Sequence, residues 1–452
     1  MTQNPSDQRF DLVVAGGTLV THAGRVAADV GVVDGRIAAI GTLDRSKADQ
    51  VIAADRLWVL PGVIDTQVHF REPGATHKED LESGSRAAVL GGVTALFEMP
   101  NTKPLTVDAP AIDDKLTRAR GRMWCDHAFY LGATGDNAEA LAELEMLPGV
   151  CGVKIFMGAS TGDLLVPDDD TLLRVLRSGR RRVAVHAEDE PRMIEREPLR
   201  QEGGVAAHAV WRDEVTAIRA TERLLKAARA AGRRVHVLHV TTAEEMALLA
   251  RNKDIASVET TPQHLSFFAP DCYERLGSRV QMNPPVRDKR HQPGLWEAVA
   301  NGVVDVIGSD HAPHTLAEKA APYPESPSGM PGVQTLLPVL LTHMNAGRLT
   351  PERLVDLTSA GANRLFNLRD KGRLAVGMHA DITLVDPDHE WTITDDWSAS
   401  KCGWTPFDGF KATGKPVGTI IRGQQVMRDG DLLGRASGVP IRFQETLLPE
   451  AG

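Results

Sequence analysis

The sequence predicts an α/β fold, a (β/α)8 barrel of the TIM type with a small β domain formed from both chain ends. Apolar runs with strand character alternate with helical patterns eight times within about 250 residues, which is typical of such a barrel. Short β-like runs with Gly-Gly and Asp-Gly turns precede this repeat, and β patterning returns after it. A doubly wound open sheet is the alternative, but no GxGxxG opens the first unit.

Eight strands are predicted for the barrel, each followed by a helical pattern or a turn. They span residues 58–70, 94–99, 126–133, 152–157, 182–189, 234–240, 256–261 and 303–310. The clearest helix covers residues 213–232, where apolar residues recur near helical spacing and Gly232 is a stop signal. Further helices are predicted at 169–179 and 243–253, and two more follow the barrel within 334–368.

The pattern also predicts the domain boundaries. We expect residues 1–57 and 369–452 to form the β domain, and residues 58–368 to form the barrel with its trailing helices. Nothing typical of catalysis lies before residue 58, so we expect the chemistry in the barrel.

The composition is typical of a globular enzyme and gives no sign of a protein that binds nucleic acid or spans a membrane. The chain has 452 residues, of which 42% are hydrophobic and 25% charged, as in ordinary globular enzymes. A net charge of -9 gives no reason to expect nucleic acid or an anionic membrane as partner. The four cysteines show no paired spacing, which fits a reducing cytoplasm. The polar N-terminus predicts no signal peptide, and no apolar run approaches the roughly 20 residues of a membrane span.

The first barrel strand carries an unusual polar cluster. Trp58–Gly74 begins as a buried apolar strand and then becomes polar within a few residues. Because alternate residues of a strand share a face, Gln67, His69 and Arg71 should point the same way, at the mouth of the barrel. We therefore expect this stretch to form the floor of an active site.

Polar and ionisable residues recur at the carboxyl ends of the other predicted strands, where barrel enzymes place their active sites. They are Asn101, Lys154, His186, His239, Asp310 and His314. Several imidazoles and a carboxylate that converge on one face suit Zn²⁺ or a similar divalent ion. His236 and His311 differ by an odd number of positions from His239 and Asp310, so we expect them to face away.

Lys154 lies within an apolar strand, where an unpaired ammonium would be costly. One interpretation is a salt bridge with a carboxylate. The other is an amine of lowered pKa that reacts with carbon dioxide and becomes a carbamate bridging two metal ions. The periodicity leaves both open.

Seven motifs together resemble the dihydroorotases of the cyclic amidohydrolase family. They are VIDTQVHFREPG, MPNT at 99–102, GVKIFMGASTG, VHAEDE, HVLHVTT, MNPPVRD and GSDHAPHTLAEK. The similarity covers the whole chain and implies that the two β segments form the family's composite β-sandwich. It also implies reversible interconversion of N-carbamoyl-L-aspartate and L-dihydroorotate plus water, in pyrimidine biosynthesis.

The resemblance implies a role for each candidate residue. One or two Zn²⁺ ions would be bound by His69, His186, His239 and Asp310, with Lys154 as a carbamate bridge. Asp310 would be the general base in hydrolysis and the general acid in ring closure. Substrate would be held by Arg71, Asn101, Asn283 and His314 and by the loop at Ser328-Gly329. We also expect the Pro-, Gly- and Ser-rich stretch 315–333 to line or cover the pocket, although a plain connecting loop is the alternative.

Two positions depart from the family pattern. Gln67 stands where the first-strand motif usually has histidine, and Gln263 stands where histidine is frequent. A neutral amide is a poorer zinc ligand than imidazole, so one metal position could be weak or empty. The bridging role of Lys154 depends on the same position.

Three alternatives remain at this stage. Another cyclic amidase, an allantoinase or a dihydropyrimidinase, is the first alternative; Arg71 suits a substrate carboxylate, which favours a dihydroorotase over an allantoinase. It could instead form a salt bridge with Glu72 or Glu98 at the rim. The last alternative is not an enzyme but a metal-free homologue that acts only as a structural partner of aspartate carbamoyltransferase. Such homologues lose most of the metal ligands. A homodimer is the default expectation for assembly.

Overall fold

The N-terminal residues fold into seven short strands. In the computed structural model, which describes residues 8–160, 164–201 and 203–446, they form the first part of a β domain. Residues 1–7, for which no signal peptide is predicted, lie outside the described residues. The strands are β1 (Phe10–Ala15), β2 (Thr18–Thr21), β3 (Gly24–Ala27), β4 (Asp29–Val33), β5 (Arg36–Gly41), β6 (Ala48–Ala53) and β7 (Trp58–Pro61).

An eight-stranded parallel sheet follows and confirms the predicted barrel. Its strands are β8 (Val63–Val68), β9 (Val93–Glu98), β10 (Asp126–Gly132), β11 (Val150–Phe156), β12 (Val183–His186), β13 (Val235–Val237), β14 (Ala256–Thr260) and β15 (Val306–Ile307). Each strand pairs with the next one along the chain. The sheet closes because Val68 pairs with His311, and the His69 N–H donates to the His311 carbonyl over 2.7 Å. The carboxyl ends of all eight strands therefore open on one rim.

The predicted strand 58–70 is wrong as a single element, since it is two strands in two sheets. β7 pairs with the β domain, and β8 begins the barrel two residues later. The change of sheet occurs at Gly62, whose N–H donates to the Asp381 carbonyl over 2.8 Å. A Cβ at this position would meet Thr94 Oγ1 at 2.2 Å, so only glycine fits where the chain passes between the two sheets.

Helices cover the outside of the barrel and follow it. They are α1 (Leu81–Leu90), α2 (Ala109–Ala119), α3 (Leu141–Leu144), α4 (Asp169–Arg177), α5 (Glu190–Glu195), α6 (Ala207–Trp211), α7 (Glu214–Ala231), α8 (Ala243–Ala250), α9 (Pro262–Ser266), α10 (Asp271–Leu276), α11 (Gln292–Ala300), α12 (Leu316–Lys319), α13 (Leu336–Asn345), α14 (Pro351–Val355) and α15 (Gly361–Phe366). The clearest predicted helix is confirmed as α7: the Asp213 side chain caps its first turn, and Gly232 ends it at φ +65°. Within the described residues, no helix is both long and apolar enough to cross a bilayer.

Strands from the C-terminal region complete the β domain. They are β16 (Ile382–Thr392), β17 (Lys411–Ile421), β18 (Gln424–Arg428) and β19 (Asp431–Leu432). One sheet has the order β5-β4-β1-β6, and the other has the order β19-β18-β17-β16-β7-β2-β3, so strands from both chain ends share a sheet. Apolar side chains of both sheets pack together in one core, among them Leu12, Val32, Ile382 and Ile420. The domain limits 1–57 with 369–452, and 58–368, stay a prediction.

The C-terminal segment returns to the barrel after β19. The Ile441 N–H donates to the His127 carbonyl over 2.8 Å, and Phe443 packs among aromatic rings below the barrel strands. The ring centroid of Phe97 lies 6.0 Å from that of Phe443 and 4.9 Å from that of Phe366. These rings pack together in the interior of the barrel.

Candidate active site

The predicted site residues meet in a cavity of about 340 Å³ at the carboxyl rim of the barrel. It is lined by Gln67, His69, Arg71, Asn101, Phe156, Ser160, His186, His239, Asn283, Asp310, Ala312, Ser328 and Gly329. Of the residues singled out from the sequence, Lys154 and His314 are not part of this wall. Three wall residues, Arg71, His239 and Asp310, hold positive φ angles of 62°, 38° and 46°, and such strain clusters at functional sites.

His186 and His239 lie next to each other in the cavity wall. His186 Nδ1 lies 3.1 Å from His239 Nε2, and His186 Nε2 lies 2.9 Å from Glu188 Oε2. Burial opposes charge on Glu188, but Arg212 and His186 lower its pKa to about 2. Glu188 is therefore a carboxylate that accepts the Nε2–H of His186, which leaves the Nδ1 lone pair of His186 facing the cavity.

Burial keeps His239 neutral, and a neutral imidazole can donate its lone pair to a metal ion. Burial lowers its pKa well below the usual value, and His186 and Lys154 lower it further. Its Nδ1 atom is buried and has no hydrogen-bond partner in the described part of the chain. Glu188 was missed by the sequence prediction, although its position two residues after His186 was the available signal.

Lys154 lies in β11 directly below the cavity and is fully buried. Its Nζ atom has no hydrogen-bond partner in the ranges that the structure covers, and it lies 4.3 Å from the centroid of the Phe156 ring. Burial lowers the pKa of Lys154 to about 7, against the attraction of Asp310 and Glu259. The salt bridge that the sequence left open is not made, and the side chain is an orphaned amine of which about half is uncharged at neutral pH.

His69 and Asp310 form a second pair, joined by Gln67. Asp310 Oδ1 lies 3.2 Å from His69 Nε2 and accepts a 3.0 Å hydrogen bond from Gln67 Nε2. The other ring nitrogen of His69 lies 2.8 Å from Asn101 Oδ1, an acceptor, so Nδ1 carries the proton. Burial also lowers the pKa of His69. The Nε2 lone pair of His69 thus faces a carboxylate oxygen, an arrangement that a shared cation would stabilise.

Arg71 is a buried cation in another part of the cavity wall. Its Nε donates to the Pro313 carbonyl over 3.2 Å, and its Nη2 lies 3.3 Å from His314 Nε2. Both carboxylates considered as rim partners are engaged elsewhere, Glu72 with Arg122 and Glu98 with Lys115. Burial lowers the pKa of Arg71 to about 10, so it remains charged at neutral pH. Among the described residues it has no carboxylate partner.

His314 lies behind Arg71, facing a wider basin of about 1210 Å³ beside the cavity. Its Nε2–H donates to the Ser328 carbonyl over 3.0 Å, and its Nδ1 accepts from Lys78 Nζ over 3.0 Å. Burial and the neighbouring cations Arg71 and Lys78 lower its pKa, so the ring is neutral. In this arrangement His314 contacts Arg71 and the loop but does not line the cavity. The geometry therefore does not support direct contact between His314 and a small ligand in the cavity.

Asn283 and the 315–333 stretch form the remaining wall. Asn283 Nδ2 donates to Ser160 Oγ over 3.2 Å, and its Oδ1 accepts from His208 Nε2 over 2.9 Å. Ser328 and Gly329 line the cavity, as expected for that stretch. Gly329 has φ +131°, and a Cβ there would meet the Ala312 carbonyl at 2.4 Å, so the loop needs glycine to approach so closely.

Two buried side chains beneath the site complete the arrangement. Glu259 in β14 accepts from Thr66 Oγ1 over 2.5 Å, and burial raises its pKa to about 8. Gln263 Nε2 donates to the Ser309 carbonyl over 2.8 Å, next to Asp310. Gln263 therefore fixes the backbone beside Asp310 instead of lining the cavity. Glu259 was missed because an acid inside an apolar strand gives no sign of its neighbours.

A separate acidic group lies between the barrel and the β domain. Ligand atoms of Asp126, His379 and Asp381 fall within 4.8 Å of one another. Lys371 Nζ, however, lies 2.6 Å from a carboxylate oxygen of each aspartate, and Arg422 pairs with Asp126 as well. Two cations already balance these carboxylates, so we interpret the group as an ion-pair network that joins the domains rather than as a metal site.

Comparison with known proteins agrees with this geometry. The model of the amidohydrolase family matches residues 58–426. A dihydroorotase of Halobacterium salinarum is 38% identical and covers 92% of this chain and 100% of its own length. An allantoinase of Rubrobacter xylanophilus is 37% identical, with coverage of 96% and 98%. The solved L-hydantoinase (dihydropyrimidinase) from Arthrobacter aurescens has a TM-score of 0.90 at 32% identity, with coverage of 96% and 99%.

Proposed function

The chain belongs to the amidohydrolase family, and we propose that it is a cyclic amide hydrolase that interconverts L-dihydroorotate plus water and N-carbamoyl-L-aspartate. Its place would be in pyrimidine biosynthesis. The dihydroorotases among its relatives support this substrate. Allantoinase and hydantoinase activities are the alternatives, because proteins with those names are also similar to the chain.

Arg71 is the observation that carries the choice of substrate. Dihydroorotate has a carboxylate on its ring, whereas allantoin and dihydrouracil have none. A buried guanidinium without a carboxylate partner is unfavourable, and a substrate carboxylate would satisfy it with charge-assisted hydrogen bonds. Asn101 and Asn283 offer amide groups on either side for the polar atoms of the ring.

The donors at the rim fit a divalent metal ion, and we propose Zn²⁺. Two bonds of 2.0–2.1 Å in tetrahedral geometry place their ligand atoms about 3.3 Å apart. The 3.1 Å separation in the His186–His239 pair and the 3.2 Å separation in the His69–Asp310 pair are close to that value. When bound, such an ion would polarise the ring carbonyl and acidify a water molecule.

Lys154 supports a carbamate at the same place. A neutral amine adds to carbon dioxide and releases a proton, which replaces an orphaned nitrogen by two anionic oxygens beside the histidine pair. The lowered pKa of Lys154 and its lack of a partner favour that reaction. We therefore propose Lys154, His186 and His239 as the core of the metal site, with His69 and Asp310 beside it.

Gln67 bears on whether one ion binds or two. Its amide N–H already donates to the Asp310 oxygen that faces His69. A cation between His69 and Asp310 would compete with that donor, and the amide is a weak replacement ligand. We propose that the ion at His186 and His239 is the tightly held one.

Asp310 would move the proton in the reaction. In hydrolysis its carboxylate takes a proton from the attacking water as the carbonyl carbon–nitrogen bond breaks, and it gives that proton to the departing ring nitrogen. In ring closure the transfers run in reverse. The N–H of Gln67 holds the carboxylate in place for both directions.

Three further expectations from the sequence are kept as proposals. We propose a cytoplasmic location, which the four unpaired and buried cysteines support. A homodimer and an association with aspartate carbamoyltransferase remain proposals for assembly. The purely structural homologue is the less favoured alternative, because the cavity retains His186, His239 and Asp310, with Lys154 buried beside them.

The carboxylate contact can be tested at Arg71. Replacing Arg71→Met should lower kcat/KM for dihydroorotate by roughly 10²–10³-fold, since the substrate carboxylate would be buried without a partner. Arg71→Lys should retain part of the activity. Arg229→Met, at an exposed ion pair on α7, is the matched control and should leave kcat/KM unchanged. Unaltered kcat/KM in Arg71→Met would contradict the assignment.

A further inference from the structure

The cavity wall formed by Ser326–Met330 is held by its carbonyl groups. All five consecutive carbonyl oxygens accept a hydrogen bond from another segment. The donors, in chain order of the carbonyls, are Gln281 Nε2, Lys319 Nζ, His314 Nε2, Lys319 Nζ and the Ala312 N–H. These hydrogen bonds satisfy the backbone acceptors of the segment and fix the wall without regular secondary structure.

Lys319 makes two of these five contacts. Its Nζ donates to the carbonyls of Pro327 over 2.8 Å and Gly329 over 2.9 Å, and to the carbonyl of Gln281 over 3.2 Å. Lys319 is the last residue of α12, only five positions after His314, and its side chain is 1% exposed. One ammonium thus joins the segment after Asp310, the cavity wall and the segment that leads to Asn283.

The ammonium has no carboxylate partner among the described residues. Its three partners are carbonyl oxygens, and the nearby charge that acts on it is the cation Arg71. Burial and, to a smaller extent, the neighbouring cation Arg71 lower the pKa of Lys319 to about 7. Burying this charge carries a desolvation cost, which the three neutral carbonyl acceptors offset only in part.

We propose that Lys319 is a positioning residue for an anionic substrate, which acts by holding the Pro327–Gly329 wall and turning its carbonyl oxygens away from the cavity. Carbonyl oxygens that faced the cavity would repel a carboxylate held at Arg71. The ammonium binds those oxygens from behind and offsets their partial negative charge. The inference rests on the proposed function for the identity of the substrate.

Replacing Lys319→Met tests the proposal in the full-length protein. We expect KM for dihydroorotate to rise at least about tenfold while kcat changes less than about threefold, because the reacting groups are untouched. Metal content should equal that of the wild type. Lys253→Met is the matched control: this exposed lysine also donates to a backbone carbonyl, that of Val303 over 2.8 Å, but away from the cavity, and its KM should not change.

A second variant keeps the test decisive if Lys319→Met does not fold. Ser326→Ala removes the 2.7 Å hydrogen bond from Ser326 Oγ to Gln281 Oε1 on the same wall and should raise KM about threefold with kcat unchanged. Folded variants with wild-type KM would overturn the role of Lys319. If the wild-type protein does not turn over dihydroorotate, the proposed function is overturned instead. The KM values would then be compared on the ring amide that the protein does hydrolyse. An unchanged KM on that substrate would again overturn the role of Lys319.

Discussion

Asp310 lies against two side chains, and only one of them, Gln67, donates a hydrogen bond to it. Gln67 donates an N–H that it cannot lose, while His69 presents a neutral ring nitrogen. The carboxylate is thus oriented without being neutralised, as a group that must accept and return a proton requires.

Replacing Asp310→Asn should lower kcat by at least about 10³-fold, because the amide keeps the shape of the carboxylate but cannot take up the proton. The fold should persist, since the amide oxygen can still accept from Gln67. Circular dichroism and steady-state kinetics would be compared with Asp388→Asn, an exposed aspartate in β16. Near-normal kcat in Asp310→Asn would rule out its role in proton transfer.

At the scale of single residues, the sequence identified the reactive side chains that lie at or just after the ends of barrel strands. His69, His186, His239, Asp310 and Arg71 could be found because each follows a barrel strand and differs from the apolar run before it. Glu259 and Lys319 could not, since their roles depend on contacts between separate segments, whereas Glu188 was overlooked although it lies two residues after His186. The placement of His314 one step behind Arg71 likewise depends on a loop conformation that spacing does not encode.

At the scale of elements, the passage from β7 to β8 is the feature that the sequence concealed. An apolar strand in either sheet has the same composition, so the run from Trp58 to Val68 carries no sign that it changes partners. The Pro61-Gly62 pair marks a bend, but only the packed structure shows Thr94 and Asp381 closing around Gly62.

Replacing Gly62→Ala should destabilise the protein by about 1–3 kcal/mol, because the added methyl group has no space beside Thr94 Oγ1. The free energy of unfolding would be measured in urea. Gly135→Ala is the control, since the nearest atom to a Cβ there is Thr171 Cγ2 at 3.7 Å, and its change should stay within about 0.5 kcal/mol. Equal stability of the two variants would contradict the tight passage.

At the scale of the whole molecule, the barrel and the β domain are joined by buried charges as well as by the chain that passes from β7 to β8. Asp126 in β10 pairs with Lys371 and Arg422, and Asp381 shares Lys371. Burial alone would raise the pKa of Asp126, but Lys371 and Arg422 lower it to about 2. Because the folded pKa lies below the usual value of about 3.9, this carboxylate stabilises the fold above pH 4.

Replacing Asp126→Asn should lower the free energy of unfolding at pH 7 by about 2–4 kcal/mol, since it leaves Arg422 without its carboxylate and Lys371 with Asp381 alone. The difference from the wild type should shrink as pH falls from 4 towards 2, where the wild-type carboxylate takes up its proton. Urea unfolding at several pH values would measure it. Asp49→Asn, in an exposed pair with Arg9, should cost less than about 0.5 kcal/mol at every pH. A pH-independent difference for Asp126→Asn would contradict the linkage.

The barrel itself could be predicted because its periodicity is local and repeated. Each strand and the long helix α7 appear within a few residues of the expected positions, since alternation and capping are written in neighbouring residues. The return of Ile441 and Phe443 to the barrel could not be predicted, because a short segment after the last strand can pack against any apolar surface.

The central claim is that this cavity takes a ring amide that carries a carboxylate. The direct test is the turnover of purified protein, with its metal content recorded, on L-dihydroorotate, allantoin, hydantoin and dihydrouracil at equal concentrations. We predict that kcat/KM for dihydroorotate exceeds the others by at least about 10³-fold, because only that ring satisfies Arg71. Efficient turnover of allantoin, hydantoin or dihydrouracil with none of dihydroorotate would contradict the account.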